Sequence, residues 1–177
     1  NLFGVVRTCQ ALLPSMRQRQ SGLIINISSD FGIFGVPFLV PYQMTKSGVE
    51  ALTEGLRHEI KRYGIEIVSI LPGPFPTEIG GKVGFGPDEP DIVEAYGNEV
   101  QTALTNFGQI MSSKMQEYKN DPQMVADTVL ALVNMQDGTR PYQTPVNPIA
   151  QEIEDDLINI RVLLKGKWLK KFGWEAY

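Results

Sequence analysis

Apolar residues recur along this chain with two periods, and the alternation between them predicts an α/β protein. Val5, Cys9, Leu12 and Met16 recur at intervals of four, three and four, one stripe of a helix over 1–20. Pro14 interrupts the stripe and predicts a kink or local adjustment, because it has no N–H for the helix ladder. Ser21-Gly22 reads as the helix end. Leu23 to Ser28 is nearly continuous in apolar character and predicts a strand covered on both faces, as in a parallel sheet. After a very apolar loop over 30–41, Pro41 sets up a helix over 42–63. Its stripe is Val49, Leu52, Leu56 and Ile60, with Glu50, Glu54, Arg57 and Lys61 largely elsewhere, and Gly64 ends it. Ile65 to Leu71 is rich in β-branched residues and reads as a second buried strand, broken by Pro72-Gly73.

The pattern then loosens. Residues 78–120 are glycine-rich at first, with Gly80, Gly81 and Gly84 as hinge candidates, and helical in pattern over 88–118. Asp121-Pro122 predicts a helix start, with Asp as N-cap and Pro at the first helical position. Val125, Val129, Leu132 and Val133 run along that helix as far as Gly138. A short last strand is expected over 140–146, with Pro141 and Pro145 pushing it to a sheet edge. Residues 147–177 form a helical tail. Its acidic stretch over 152–156 and its basic-aromatic stretch over 165–174 read as solvated helix faces, with a membrane-surface or partner role for Lys165, Lys167, Lys170 and Lys171 as the minor reading. No repeat, linker or second domain is visible, so 1–177 reads as one unit.

The chemistry concentrates between Ser28 and Lys46. Tyr42 and Lys46 are four apart, so a helix puts both on one face. Ser29 stands at the end of the first strand. A free tyrosine titrates near pH 10, roughly, and a fixed positive charge beside it favours the phenolate. Lys46 is placed to supply that charge. Tyr42 then gives a proton to a carbonyl oxygen being reduced, or takes one from an alcohol being oxidised. Ser29 holds the same oxygen in register. Ser28 competes for this role, but strand alternation turns it to the other side. The thirteen residues from Ser29 to Tyr42 and the glycine that follows at Gly32 favour Ser29. Side chains make no hydride donor, so redox chemistry here requires a cofactor. The apolar loop from Phe31 to Val40 packs on core or lines a substrate pocket.

Asn26-Ile27-Ser28-Ser29-Asp30-Phe31-Gly32, Tyr42-Gln43-Met44-Thr45-Lys46-Ser47-Gly48 and Pro72-Gly73-Pro74-Phe75-Pro76-Thr77 together resemble the short-chain dehydrogenase/reductase family, in its shorter, single-domain subclass. The resemblance runs from Asn1 to about Val146. It implies the C-terminal part of a doubly wound parallel α/β sheet, Rossmann-like, with NAD or NADP as cofactor and a carbonyl or alcohol as small-molecule substrate. By resemblance Ser29, Tyr42 and Lys46 are catalytic, Lys46 reaches the cofactor ribose, and Asn1 helps relay protons through water behind the lysine. The loop at Pro72 and Gly73 meets the cofactor, with the Phe75 backbone at the nicotinamide amide and the Thr77 hydroxyl as a further holder. Thr77 also suits an N-cap. Residues 78–120 correspond to the family's variable substrate lid, where Ile79, Val83, Phe85, Tyr96, Phe107 and Met111 equally suit a packed helical pair. By resemblance, the helix carrying Asn1 and the helix over 42–63 pack against their copies in a partner subunit, so the resemblance implies a homo-oligomer.

Composition narrows this picture without redirecting it. A formal net charge of −4 argues against a nucleic-acid partner. One cysteine, Cys9, excludes a disulfide framework and suits a reducing, cytoplasmic compartment. One histidine, His58, leaves no material for a histidine-based triad or zinc site. No run of eighteen apolar residues predicts a membrane span. The glycine-rich phosphate turn of the family is absent, and Asn1 falls in a helical pattern. The expectation is therefore the catalytic part of an oxidoreductase whose nucleotide-binding part lies N-terminal to this chain. Two other readings stay open: a non-catalytic interaction subunit of the same ancestry, and nucleotide-sugar epimerisation or dehydration, against which the short serine-to-tyrosine spacing speaks.

Overall fold

The computed structural model describes residues 1–78 and 90–174. Three strands, β1 (Gly22–Ile27), β2 (Ile65–Pro72) and β3 (Gln143–Val146), form a parallel sheet in the order β1-β2-β3. Gly22 to Ile27 pair in register with Ile65 to Ile70, and Ser69 to Pro72 with Gln143 to Val146. The helices are α1 (Leu2–Arg19), α2 (Val40–Ile60), α3 (Pro90–Ala95), α4 (Asn98–Glu117), α5 (Gln123–Asn134) and α6 (Gln151–Phe172).

Alternation along the strands sends side chains to two separate cores. Ile24, Ile65 and Ile67 join Cys9 and Met16 of α1 and Ile60 of α2 on one face. Val68, Ile70 and Val146 join Leu132 of α5 on the other, with Leu23, Ile25 and Phe75 against them. Helices on both faces of a parallel sheet make the doubly wound α/β arrangement that the sequence predicts. Burial of each such aliphatic side chain contributes about 1.5–3 kcal/mol, so β2, buried on both faces, anchors the domain.

Several local expectations are corrected. Leu13, not Leu12, packs against the α1 core, and Leu12 is exposed. The end of α1 is formed by Gln20 in the left-handed conformation (φ 54°), its N–H returning to Arg17 and Met16, rather than by Ser21-Gly22. Gly22 instead opens β1, where a Cβ would lie 2.6 Å from Met16 Sδ. The long helix over 42–63 starts two residues earlier and ends in a separate 3-10 turn, Lys61–Tyr63. The expected helix over 88–118 is two, α3 and α4, separated at Gly97 with φ 83°. Helix α5 starts at Gln123, Asp121 accepting from its N–H at 2.9 Å, and stops at Asn134 rather than Gly138. Val133 on it is exposed. The hinge candidates Gly80, Gly81 and Gly84, and Ile79, Val83 and Phe85, lie outside the described residues.

Two acidic residues expected on solvated faces are buried. Glu50 of α2 lies under the sheet, accepting from Ser69 Oγ at 3.0 Å and from Gln143 Nε2. Glu154 of α6 is 1% exposed. Hydrophobic periodicity cannot find such residues, because each is buried through a polar partner, for Glu50 from a distant part of the chain and for Glu154 from Asn147 just before α6.

Candidate active site

Ser29 follows directly on β1. The Ser28 N–H still donates to Ile70 O at 2.8 Å, extending the ladder by one residue. Ser29 is extended (φ −168°, ψ 156°) and caps a 3-10 turn, Asp30–Gly32, its Oγ accepting from Phe31 N at 3.2 Å. The same Oγ donates to Asp30 Oδ1 at 2.9 Å and lies 3.5 Å from Pro72 O. Ser28 is buried on the other side, its Oγ 3.5 Å from Lys46 O, a packing role as expected.

Residues 30–41 are tied to α2 by two bonds. Gln43 Nε2 donates to Val36 O at 2.6 Å and Ser47 Oγ to Gly32 O at 3.0 Å. Phe38 sits in the left-handed region (φ 68°), strained for a bulky residue, and meets the Phe107 ring of α4 edge-on at 5.9 Å. Pro41 stands in the first turn of α2, where its missing N–H costs nothing. Tyr42 and Lys46 follow one turn apart on this helix, as the spacing predicts.

The Ser29 hydroxyl lowers the Tyr42 phenol's hold on its proton, so the two groups lie near each other. Lys46 Nζ donates to Ile27 O at 3.0 Å and lies 5.7 Å from the centre of the Tyr42 ring. Here the structure departs from expectation. Burial raises the Tyr42 phenol above its ordinary value, the Ser29 hydrogen bond opposes this, and the charge of Asp30 adds to it. The ammonium sits at the ring and the strand carbonyl, and it does not offset burial. Burial likewise lowers Lys46, opposed by Glu50 one turn further along α2. Burial therefore favours the neutral phenol.

The Pro72–Thr77 loop leaves the C-terminal end of β2 beside Ser29. Gly73 N donates to Val146 O at 3.0 Å. A Cβ on Gly73 would lie 2.4 Å from Asn147 Cγ, so only glycine lets this loop lie against Asn147. Asn120 Nδ2 donates to Pro74 O at 2.6 Å and fixes the next residue. Phe75 packs into the α5 core, and Thr77 is exposed at the end of the loop. Asn1 is the exposed N-cap of α1 and makes no side-chain capping bond. Leu2 would crowd a Cβ on Gly48 at 2.9 Å, which places this helix start against α2 two residues beyond Lys46.

Asp30, Asn147 and Glu154 were not singled out as site residues by sequence reasoning. Asn147 Nδ2 donates to Glu154 Oε1 at 2.5 Å and lies 3.3 Å from Asp30 Oδ2. Burial pushes the Asp30 carboxyl up to about 6, against its hydrogen bonds from Ser29 and Phe31. Burial pushes Glu154 up to about 7, opposed by Asn147, with the charges of Asp30 and Asp155 adding to the rise. Both carboxyls hold their protons more tightly folded than unfolded. Their stabilising effect is complete below the unfolded values near 4 and is lost as pH rises through 6 and 7. The melting temperature is thus expected to fall between about pH 4 and about pH 8, and less so in Asp30→Asn. Thermal melts at fixed ionic strength test this; identical pH slopes in the two proteins count against it.

Among the described residues, no group of three or more His, Cys, Asp or Glu could hold a metal ion, and no helix is long and apolar enough to cross a membrane. Burial raises Cys9, which suits an inert thiol in the core. A groove of about 330 Å³ along α4, lined by Asn98, Gln101, Thr102, Thr105 and Asn106, carries no titratable side chain.

The fold and these three motifs place the chain in a known class. Residues 1–85 match the family model described as short chain dehydrogenase, and the chain belongs to the short-chain dehydrogenase/reductase family. It is 33% identical over 153 residues to a 3-ketodihydrosphingosine reductase of Bacteroides thetaiotaomicron, covering 85% of this chain and 53% of that protein. It is 42% identical over 90 residues to an NADPH-dependent 3-dehydrocapnine reductase of Ornithobacterium rhinotracheale, covering 49% of this chain and 32% of that protein. The crystal structure of a short-chain dehydrogenase from Streptomyces avermitilis superimposes with a TM-score of 0.61 at 26% identity, over 97% of this chain and 58% of that one. The chain spans about half the length of the curated relatives it matches.

Proposed function

We propose that this chain carries the proton-transfer site of an NAD- or NADP-dependent oxidoreductase acting on a carbonyl/alcohol pair, with a hydrophobic substrate. The observation that carries the proposal is the convergence of the Ser29 hydroxyl and the Tyr42 phenol, with Lys46 against the Tyr42 ring. The names of the two relatives, one a 3-keto reductase and one NADPH-dependent, support both the reaction and the cofactor.

The residues present fit such a cofactor. An ammonium has three donors; Lys46 gives one to Ile27 O, and the others suit ribose hydroxyls. Gly73 keeps the loop backbone at the strand ends free of side-chain bulk. Pro72, Phe75 and Thr77 would hold the nicotinamide end of the cofactor along the same loop. When bound, the nicotinamide cofactor supplies the hydride. As negative charge develops on the carbonyl oxygen, Ser29 holds that oxygen by a hydrogen bond and neutral Tyr42 donates its proton to it. An alkoxide is far more basic than a phenolate, so a phenol raised by burial still transfers its proton downhill. Lys46 then stabilises the phenolate electrostatically, and Asn1 belongs to the path by which a proton returns.

The remaining assignments are part of the same proposal. Residues 78–120 act as substrate lid, supported by the contact of Phe107 on α4 with Phe38 of the serine loop. Residues 147–177 form the helical tail, and α1 and α2 provide the surface of a homo-oligomer in the cytoplasm, supported by exposed Phe3 and Met44. No nucleic-acid role is proposed.

Incubation of the full-length protein with NADH or NADPH and a series of long-chain ketones tests the reading through loss of reduced-nicotinamide absorbance. Ketone-dependent turnover is expected, with kcat/KM lowered about a hundredfold in Ser29→Ala, as for loss of one donor to a developing oxyanion. Wild-type turnover in Ser29→Ala sinks the assignment.

A further inference from the structure

The buried contacts of Ser29 run away from the substrate side. Ser29 Oγ donates to Asp30 Oδ1 at 2.9 Å, Asp30 Oδ2 faces Asn147 Nδ2 at 3.3 Å, and that same amide nitrogen donates to Glu154 Oε1 at 2.5 Å. All four side chains are at least nine-tenths buried, and Glu154 Oε2 has no hydrogen-bond partner. A single amide cannot compensate two ionised carboxylates in such a place, because like charges out of water repel strongly. The other charged or titratable groups nearby do not relieve this. Tyr42 and Lys46 face the Asp30 side from α2, but the ammonium is engaged with Ile27 O. Asp155 of α6 adds negative charge, and Glu50 of α2 is held by Ser69 and Gln143.

We propose that Asp30 and Glu154, joined through Asn147, hold one proton between them, and that its presence on Asp30 decides whether Ser29 donates a hydrogen bond to the substrate oxygen or accepts one. With Asp30 ionised, its Oδ1 accepts the Ser29 hydrogen, and Ser29 offers the substrate lone pairs only, which suits the hydroxyl of an alcohol. With Asp30 neutral, Oδ1–H donates to Ser29 Oγ while Phe31 N still donates to Oδ1. The Ser29 hydrogen then turns outward to a carbonyl oxygen. The single proton gained or lost by the pair exchanges with solvent, and no covalent bond of the substrate is involved. Asp30, Asn147 and Glu154 are positioning residues acting through Ser29. The raised values of both carboxyls agree with this pairing. The inference rests on the oxidoreductase reading for its consequence in turnover, but the shared proton is measurable without turnover.

The experiment is a carboxyl-carbon NMR titration of wild type, Asp30→Asn and Glu154→Gln, alongside pH profiles of kcat for ketone reduction and alcohol oxidation. In wild type, coupled steps are expected from Asp30 and Glu154 between about pH 5 and pH 8. In Asp30→Asn, the Glu154 step moves to lower pH by about one unit. Reduction in wild type falls and oxidation rises through the same interval, and both dependences vanish in Asp30→Asn whatever its absolute rate. A Glu154 step that stays in place, or two carboxyls ionised well below pH 5, overturns the shared proton. A rate loss in Asp30→Asn with the wild-type pH dependence retained overturns the control of Ser29. If Glu154→Gln fails to fold, Asp30→Asn and wild type still decide both points. Absence of turnover in wild type overturns the oxidoreductase reading and with it the control of Ser29, and leaves the NMR result to decide the shared proton.

Discussion

Tyr42→Phe is expected to lower turnover about a thousandfold while cofactor affinity stays near that of wild type. The substitution removes one oxygen and keeps the ring, which fills the same space beside the Lys46 ammonium. The loss follows from the role assigned to that oxygen, since a positioned general acid contributes about 10²–10⁴. Binding is expected to persist because Lys46 and the Pro72–Thr77 loop are untouched. Steady-state kinetics and titration of cofactor fluorescence separate the two. Turnover within tenfold of wild type would remove Tyr42 from the chemistry and refer proton transfer to another group.

Arg140→Ala is expected to destabilise the fold by about 3–5 kcal/mol, as for removal of one partner from a buried charge pair. Arg140 joins the end of α5 to the sheet. Its guanidinium donates to Leu132 O and Met135 O, each at 2.7 Å, and to Glu66 Oε1 of β2 at 2.5 Å. Its side chain is 5% exposed, and that of Glu66 19%. Removing it takes the charged partner from a largely buried carboxylate, which keeps only the Gly138 N–H at 2.9 Å, and takes a donor from each helix-end carbonyl. The Asp137 contact adds little, because that carboxylate is 91% exposed. Arg140→Lys should recover less than half of the loss, since an ammonium cannot span these acceptors as a planar fork does. Urea unfolding monitored by circular dichroism measures both variants. A loss under about 1 kcal/mol for Arg140→Ala would mean that the carbonyls find water instead.

The elements that positioned the site were legible because their signals are local. The strand before Ser29 is read from Leu23 to Ile27, and the turn separation of Tyr42 and Lys46 from four positions on a helix opened by Pro41. Arg140 shows the opposite case. Its sequence neighbours suggest a turn and a short strand, and nothing in them reveals that it closes α5 or that Glu66, 74 residues away, receives it. Glu50 reads as a position off the apolar stripe and Glu154 as a solvated one, yet Glu50 is buried against Gln143 from far along the chain and Glu154 against Asn147 just before its helix. The helix position of Tyr42 is legible in the sequence, whereas the burial that raises its phenol is not. Spacing puts Lys46 on the same helix face, and only the fold shows the ammonium at the ring and the Ile27 carbonyl while burial acts on the hydroxyl.

Sequence alone therefore determined the class of fold, the chain order of its strands and longer helices, and the placing of Ser29 at a strand end with Tyr42 and Lys46 one helical turn apart, because periodicity and fixed spacing act over one or two turns of chain. Tertiary structure alone decided which polar groups are buried together. The link from Ser29 through Asp30 and Asn147 to Glu154 joins the end of β1, the end of β3 and α6, across 117 residues between Asp30 and Asn147. Desolvation and hydrogen bonding between such distant segments set the protonation of the site, and they exist only once the sheet has brought its strand ends side by side.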